Sequence, residues 1–118
     1  MTGTRSANDG MVARAVVKLP AEIDMTNADS VVADLEGAFA SQVTIVVADM
    51  TATTFCDSRG IRALVLAHKH AAAFGAELRL AVPSASVLRV MGLLGADAVL
   101  AIYPSLQEAL GVQSELRK

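Results

Sequence analysis

Apolar and polar residues alternate along this chain with two different periods, and the change from one to the other is sharpest in its middle. Val43-Thr44-Ile45-Val46-Val47-Ala48 is almost unbroken in apolar character. Such a run predicts a strand over 43–49 that is covered on both faces. Beyond it, Ile61, Leu64, Val65, His68 and Ala72 recur at helical spacing, which predicts a helix from Asp57 or Ser58 to about Phe74. Gly75 follows as a natural left-handed stop.

The flanking segments repeat this alternation of elements. Residues 11–19 read as a strand on Val12, Val16, Val17 and Leu19, ended by Pro20, which has no amide hydrogen for a ladder. Thr26 or Asn27 is placed to cap a helix whose buried stripe is Ala28, Val31 or Val32, Leu35 and Phe39, ending near Ser41. Leu78, Leu80 and Val82 share one face of a strand over 77–82, and Pro83-Ser84 breaks it and prepares a third helix. That helix carries an expected inner stripe of Val87, Met91 and Leu94 and closes at Gly95. A short strand over 99–103 and a capping box at Ser105-Leu106-Gln107-Glu108 complete the series. The expected fold is therefore α/β, one domain with a mixed, mostly parallel sheet of four to five strands and about four helices. Residues 1–10 are polar and aperiodic, and read as a flexible segment or a short edge strand ahead of a domain over 11–118.

Composition narrows the function. At 118 residues there is room for one core, and with 53% apolar residues but only three Phe and one Tyr, that core is aliphatic. No apolar run approaches the roughly 20 residues that cross a bilayer, and the first residues are too polar for a secretory signal, so a cytoplasmic protein with no membrane insertion is expected. Cys56 is the single cysteine, which excludes an internal disulfide. It reads as a small buried hydrophobe or as a thiol whose oxidation disturbs its neighbours. Ten basic against twelve acidic residues, scattered without interleaved aromatics, argue against direct nucleic-acid binding.

The candidate chemistry lies at the strand-to-helix junction. Ser58 stands where amide hydrogens lack helical partners and the helix dipole is positive, a place that accepts an added phosphate without unfolding the helix. Asp57 reads as the helix cap, as a group that orients the Ser58 hydroxyl in a kinase complex, or as both. Gly60 in the first helical turn reads as a site of close backbone approach by a partner or as a tight turn. His68 and His70 are two apart and face differently, which disfavours a shared metal site. Asp24, Asp49 and Asp57 invite a carboxylate cation site, but no phosphate-binding Gly-Lys-Ser loop and no Gly-x-Ser-x-Gly elbow accompanies them. Asp24 reads instead as shaping the turn before the first helix or touching a partner.

Over about residues 11–112 the chain resembles a STAS domain, and more closely the bacterial anti-sigma factor antagonists of that family. Leu19-Pro20-Ala21-Glu22-Ile23-Asp24 is similar to the family's Leu-x-Gly-Glu-Leu-Asp. Asp49 to Ile61 carries Phe55 and Asp57-Ser58-x-Gly60, and Leu78-Arg79-Leu80 precedes Pro83-Ser84. Val87 through Gly95 then leads to Tyr103-Pro104. Pro20-Ala21, Cys56 and Arg59 depart from the usual residues at their positions, and Arg59 reads as a partner-specific ion pair or a solvated side chain.

The resemblance implies that Ser58 is phosphorylated by a serine kinase that is itself the anti-sigma factor. Unmodified protein binds that kinase and frees a sigma factor, and a serine phosphatase resets the switch. Asp24, Thr54, Asp57, Arg59 and Gly60 are the implied partner-binding residues. ATP and magnesium belong to the kinase, so the chain needs no cofactor or metal and is no enzyme. Two alternatives compete: a non-phosphorylated STAS scaffold in a membrane transporter or stress-signalling assembly, and a small hydrolase with Ser58 as nucleophile, for which no histidine is placed as base.

Overall fold

A computed structural model describes residues 13–111. Strand β1 (Arg14–Lys18) leads to the two-residue β2 (Glu22–Ile23) and helix α1 (Ala28–Phe39). Next come β3 (Ile45–Asp49), the two-residue β4 (Phe55–Cys56) and α2 (Ser58–Ala71). The chain closes with β5 (Glu77–Ala81), α3 (Ala85–Leu93), β6 (Ala101–Tyr103) and α4 (Leu106–Leu110). Short 3-10 turns follow α2 and α3. Strands β1, β3, β5 and β6 lie side by side in that order, and all three pairings are parallel. The α/β architecture expected from the pattern is thus present, with the helices supplying the crossovers that parallel neighbours need.

Strand β3 is central, and all five of its residues are buried. Its even residues Val46 and Ala48 join Val17, Leu78 and Leu80 beneath α1 and α2 in the main core, together with Val31, Leu35, Phe39 and Leu64. Its odd residues Ile45 and Val47 pack with Ala81 and Ala109 beneath α4. Two-sided cover explains why this strand reads as a continuous apolar run. Arg79 fastens α4 to the second face: its Nη1 donates to the Ala109 carbonyl at 2.9 Å, and the guanidinium lies 5.6 Å from the Tyr103 ring centre. Its hydrogen bonds to Glu77 hold its pKa above the ordinary arginine value.

Helix ends follow the expected chemistry with some changes. Gly75 (φ 69°) and Gly95 (φ 75°) adopt the left-handed conformation that stops a helix or turn. Ser84 and Ser105 cap α3 and α4 by accepting from Val87 N and Glu108 N. Asn27 occupies the cap position of α1 but makes no side-chain bond into it. Its amide instead holds the preceding loop, accepting from Asp24 N at 3.0 Å and donating to the Glu22 carbonyl at 2.8 Å.

Two expectations are corrected and one feature is added. Leu94 is not part of the inner stripe of α3: the helix ends at Leu93, and Leu94 is 51% exposed. The last strand begins at Ala101, because a 3-10 turn over Ala96–Ala98 takes up the chain before it. A second, two-stranded parallel sheet joins β2 to β4, with Glu22 beside Phe55 and Ile23 beside Cys56. The expected N-terminal segment over 1–10, Met11 and Val12 of the first strand, and the chain beyond Gly111 lie outside the described residues.

Candidate functional site

The small sheet positions the serine. Thr54 N and Phe55 N donate to the Ala21 carbonyl, and Asp57 N donates to the Ile23 carbonyl at 3.1 Å, so the segment leading into α2 is laddered to β2. Buried Thr53 donates from Oγ1 to the Pro20 carbonyl at 2.8 Å, tying the same two loops together one step earlier. Asp49 closes the turn between β3 and β4 by accepting from Thr51 N and Thr51 Oγ1.

Gly60 fixes how closely α2 seats on this sheet. A Cβ at Gly60 would lie 2.7 Å from Cys56 Sγ, 2.8 Å from Ile23 Cγ2 and 3.0 Å from the Ile23 carbonyl oxygen. Gly60 is buried, and the backbone that approaches it is the chain's own β2. In this position Gly60 shapes the surface from within.

Asp57 and Ser58 divide two tasks. The Asp57 carboxylate accepts from Gly60 N at 2.9 Å and caps α2, which satisfies one of the free amides of the first turn. Ser58 is the first residue of the helix, exposed, and among the described residues its hydroxyl makes no hydrogen bond. Since Asp57 performs the cap, the Ser58 Oγ is left available. It opens into a groove of about 290 Å³ between α2 and the α3–β6 turn, where Ile61, Val65, Leu94 and Val99 form the apolar wall and Arg62 a charged edge. Leu94 and Val99 are each about half exposed, and Leu93 is 77% exposed beside them. An apolar rim around a hydroxyl suits a surface that another protein covers.

The remaining expected residues fall around this point to different degrees. Arg59 and Thr54 are exposed, and the Thr54 carbonyl accepts from Ser86 Oγ, which joins β4 to α3. Asp24 lies in the β2–α1 loop, where Oδ1 accepts from Thr26 Oγ1 at 2.5 Å and Thr26 N at 2.9 Å. Those bonds, the side-chain one foremost, lower its pKa below the ordinary value. Asp24 therefore shapes its turn. Asp24, Asp49 and Asp57 are each engaged locally, and among the described residues no three acidic, histidine or cysteine side chains gather as a metal-binding group. His70 reaches across to Glu36 and ties α2 to α1. Sequence reasoning missed Leu94 and Val99 as surface; the αL glycine at Gly95, which turns the chain beside them, was the available signal.

Cys56 lies under this site with its thiol pushed up to about 12 from 9.0, chiefly by burial and secondarily by the Asp57 charge.

The chain belongs to the STAS domain family: the family model matches residues 6–109. Among solved structures it is similar to an anti-sigma factor antagonist from Mycobacterium paratuberculosis, at 26% identity and a TM-score of 0.67, covering 82% of each chain. It is also similar to the anti-sigma factor antagonist SpoIIAA in its unphosphorylated form, at 20% identity and a TM-score of 0.68, covering 87% of this chain and 90% of that one. A sulfate transporter family protein from Wolinella succinogenes shares the fold as well, at 16% identity and a TM-score of 0.70, covering 88% and 87%. No curated protein matches by sequence.

Three outcomes test this geometry. Gly60→Ala is expected to destabilise the fold by about 1–3 kcal/mol through overpacking against Ile23 and Cys56, read as a lower urea midpoint. Cys56 is expected to resist thiol reagents in the native state at about pH 8 and to react on unfolding. Because its folded pKa is raised, its contribution is intact below about pH 9 and is lost as pH rises toward about 12, the unfolded thiol ionising first. Wild type should thus lose more stability than Cys56→Ala over that interval in paired urea titrations; equal losses would refute the burial effect.

Proposed function

We propose that this chain is a phosphorylation-gated anti-sigma factor antagonist. In its unphosphorylated form it binds an anti-sigma factor serine kinase and so releases a sigma factor, acting on transcription indirectly and in the cytoplasm. The observation that carries this reading is the free, exposed Ser58 hydroxyl on the rim of an apolar groove, with its helix already capped by Asp57. Similarity to anti-sigma factor antagonists, one of them described in an unphosphorylated form, supports it. Residues 11–118 act as one domain, with Asp24, Thr54, Asp57 and Arg59 at the partner surface and Gly60 holding that surface in shape.

The gate is electrostatic. A phosphate on Ser58 adds about −1.5 to −2 charges at the positive end of α2, and Arg62, four residues on and lining the same groove, stands beside it. The helix therefore tolerates the group. A partner that seats apolar side chains against Leu94 and Val99 must instead desolvate a dianion or face repulsion from it, and a penalty of about 3 kcal/mol weakens binding more than a hundredfold. The chain itself is a binding protein and not a catalyst. His68 lies ten residues beyond Ser58 on the same helix, about 15 Å of axial rise, so it cannot act as base for a serine nucleophile.

A second reading, a STAS subunit of a membrane transporter, is favoured by the fold shared with the sulfate transporter family protein. Incubation with the candidate kinase and ATP separates the two. One phosphate at Ser58 by intact mass and peptide mapping is expected, with Ser58→Ala unmodified and constitutively bound and Ser58→Asp bound poorly. Absence of modification together with co-purification of an integral-membrane permease would replace the first reading by the second.

A further inference from the structure

The face of α2 turned toward α1 carries positive charge that no ion pair among the described residues answers. Arg59, Arg62, Leu66 and Lys69 recur at steps of three, four and three residues, and so share one face over about 15 Å of helix. With Met25 and Val32 from the α1 side they line an open groove of about 630 Å³. Met25 is 64% exposed and Leu66 44% exposed, so the groove has an apolar floor between its cations. Asp29 is the one acidic residue lining it. Among the described residues none of Arg59, Arg62 and Lys69 makes an ion pair or a side-chain hydrogen bond, whereas the adjacent His70 is answered by Glu36. The whole chain has a net charge of −2, so this stripe is opposite in sign to the overall charge.

We propose that this groove is the docking site for an acidic amphipathic helix of a protein partner, about three turns long, with aliphatic side chains on Met25, Val32 and Leu66 and carboxylates on Arg59, Arg62 and Lys69. The complementarity runs in both respects: apolar anchors at helical spacing meet the floor, and acidic residues between them meet the three cations. A nucleic acid answers the cations alone and leaves the aliphatic floor uncovered, and three phosphate contacts bind weakly at ordinary salt. Arg62 and Val65 line both this groove and the one at Ser58, so a helix seated here adjoins a partner body covering the serine. The inference goes beyond the phosphorylation reading and holds whether or not Ser58 is ever modified.

The test uses the unphosphorylated full chain, without kinase. Three probes are titrated while the methyl resonances of Met25, Val32 and Leu66, and of Leu94 and Val99 in the other groove, are followed by NMR: a synthetic amphipathic helix of Leu and Glu, the same peptide with Lys for Glu, and an oligothymidylate. The acidic peptide is expected to shift those methyls saturably and the lysine peptide to leave them unmoved. The double variant Arg62→Glu, Lys69→Glu should weaken the acidic peptide at least tenfold and admit the basic one, and rising salt should weaken the wild-type complex. Equal binding of both peptides, shifts confined to Leu94 and Val99, tighter binding of the oligonucleotide, or no saturable shift would each overturn the proposal. Should the variant fail to fold, the wild-type comparison of the two peptides still decides. Failure here leaves Ser58 phosphorylation untouched, since no kinase takes part.

Discussion

The structure around the candidate site depends on one close contact, the first turn of α2 seated on Ile23 with only a hydrogen at Gly60 between them. Without that approach the small β2–β4 sheet could not hold both the strand that enters the helix and the helix itself. The Asp57 amide bonds the Ile23 carbonyl, and its carboxylate bonds the Gly60 amide, so β2, the end of β4 and α2 share one anchoring point. Rigidity at this point matters because the neighbouring residue, Ser58, faces outward. An exposed group is held in one position best by a support that does not itself move.

The second theme is a separation of structural from available polar groups. Thr53, Asp49, Asp24 and Asn27 all spend their side chains on loop backbone, and Asp57 spends its carboxylate on the helix start. Ser58, Arg59 and Arg62 do not. The exposed apolar residues follow the same geography: Leu93, Leu94 and Val99 lie to one side of α2, and Met25 and Leu66 to the other. Two grooves thus flank one helix, with the Arg62–Val65 ridge between them. A protein that covers Ser58 meets apolar surface first and positive charge next.

Much of this was legible in the amino-acid order, and the failures have physical causes. Strand β3 was clear because burial on both faces removes polar residues from it, and α2 because its inner face recurs as Ile61 and Leu64. The stop at Gly75 and the caps at Ser84 and Ser105 announced themselves by residue type. The β2–β4 pair was not visible: two residues per strand carry no period, and their pairing joins positions about thirty apart in the chain. For the same reason residue type alone leaves Gly60 open between close approach by a partner and a tight turn, since only the paired strands show that Ile23 occupies the space above it. Leu94 fitted a helical stripe by spacing, but the helix stopped one residue short of it. The basic groove escaped because its two walls come from different helices, and net composition hides a local reversal of charge.

The most direct measurement is calorimetric titration of one anti-sigma factor kinase into two forms of this chain, one with serine and one with genetically encoded phosphoserine at position 58. A dissociation constant more than a hundredfold weaker for the phosphorylated form, with thermal unfolding of the two forms nearly coincident, is the expected result. Equal affinity, or weaker binding accompanied by loss of the fold, would contradict a gate that acts on the partner through charge at Ser58.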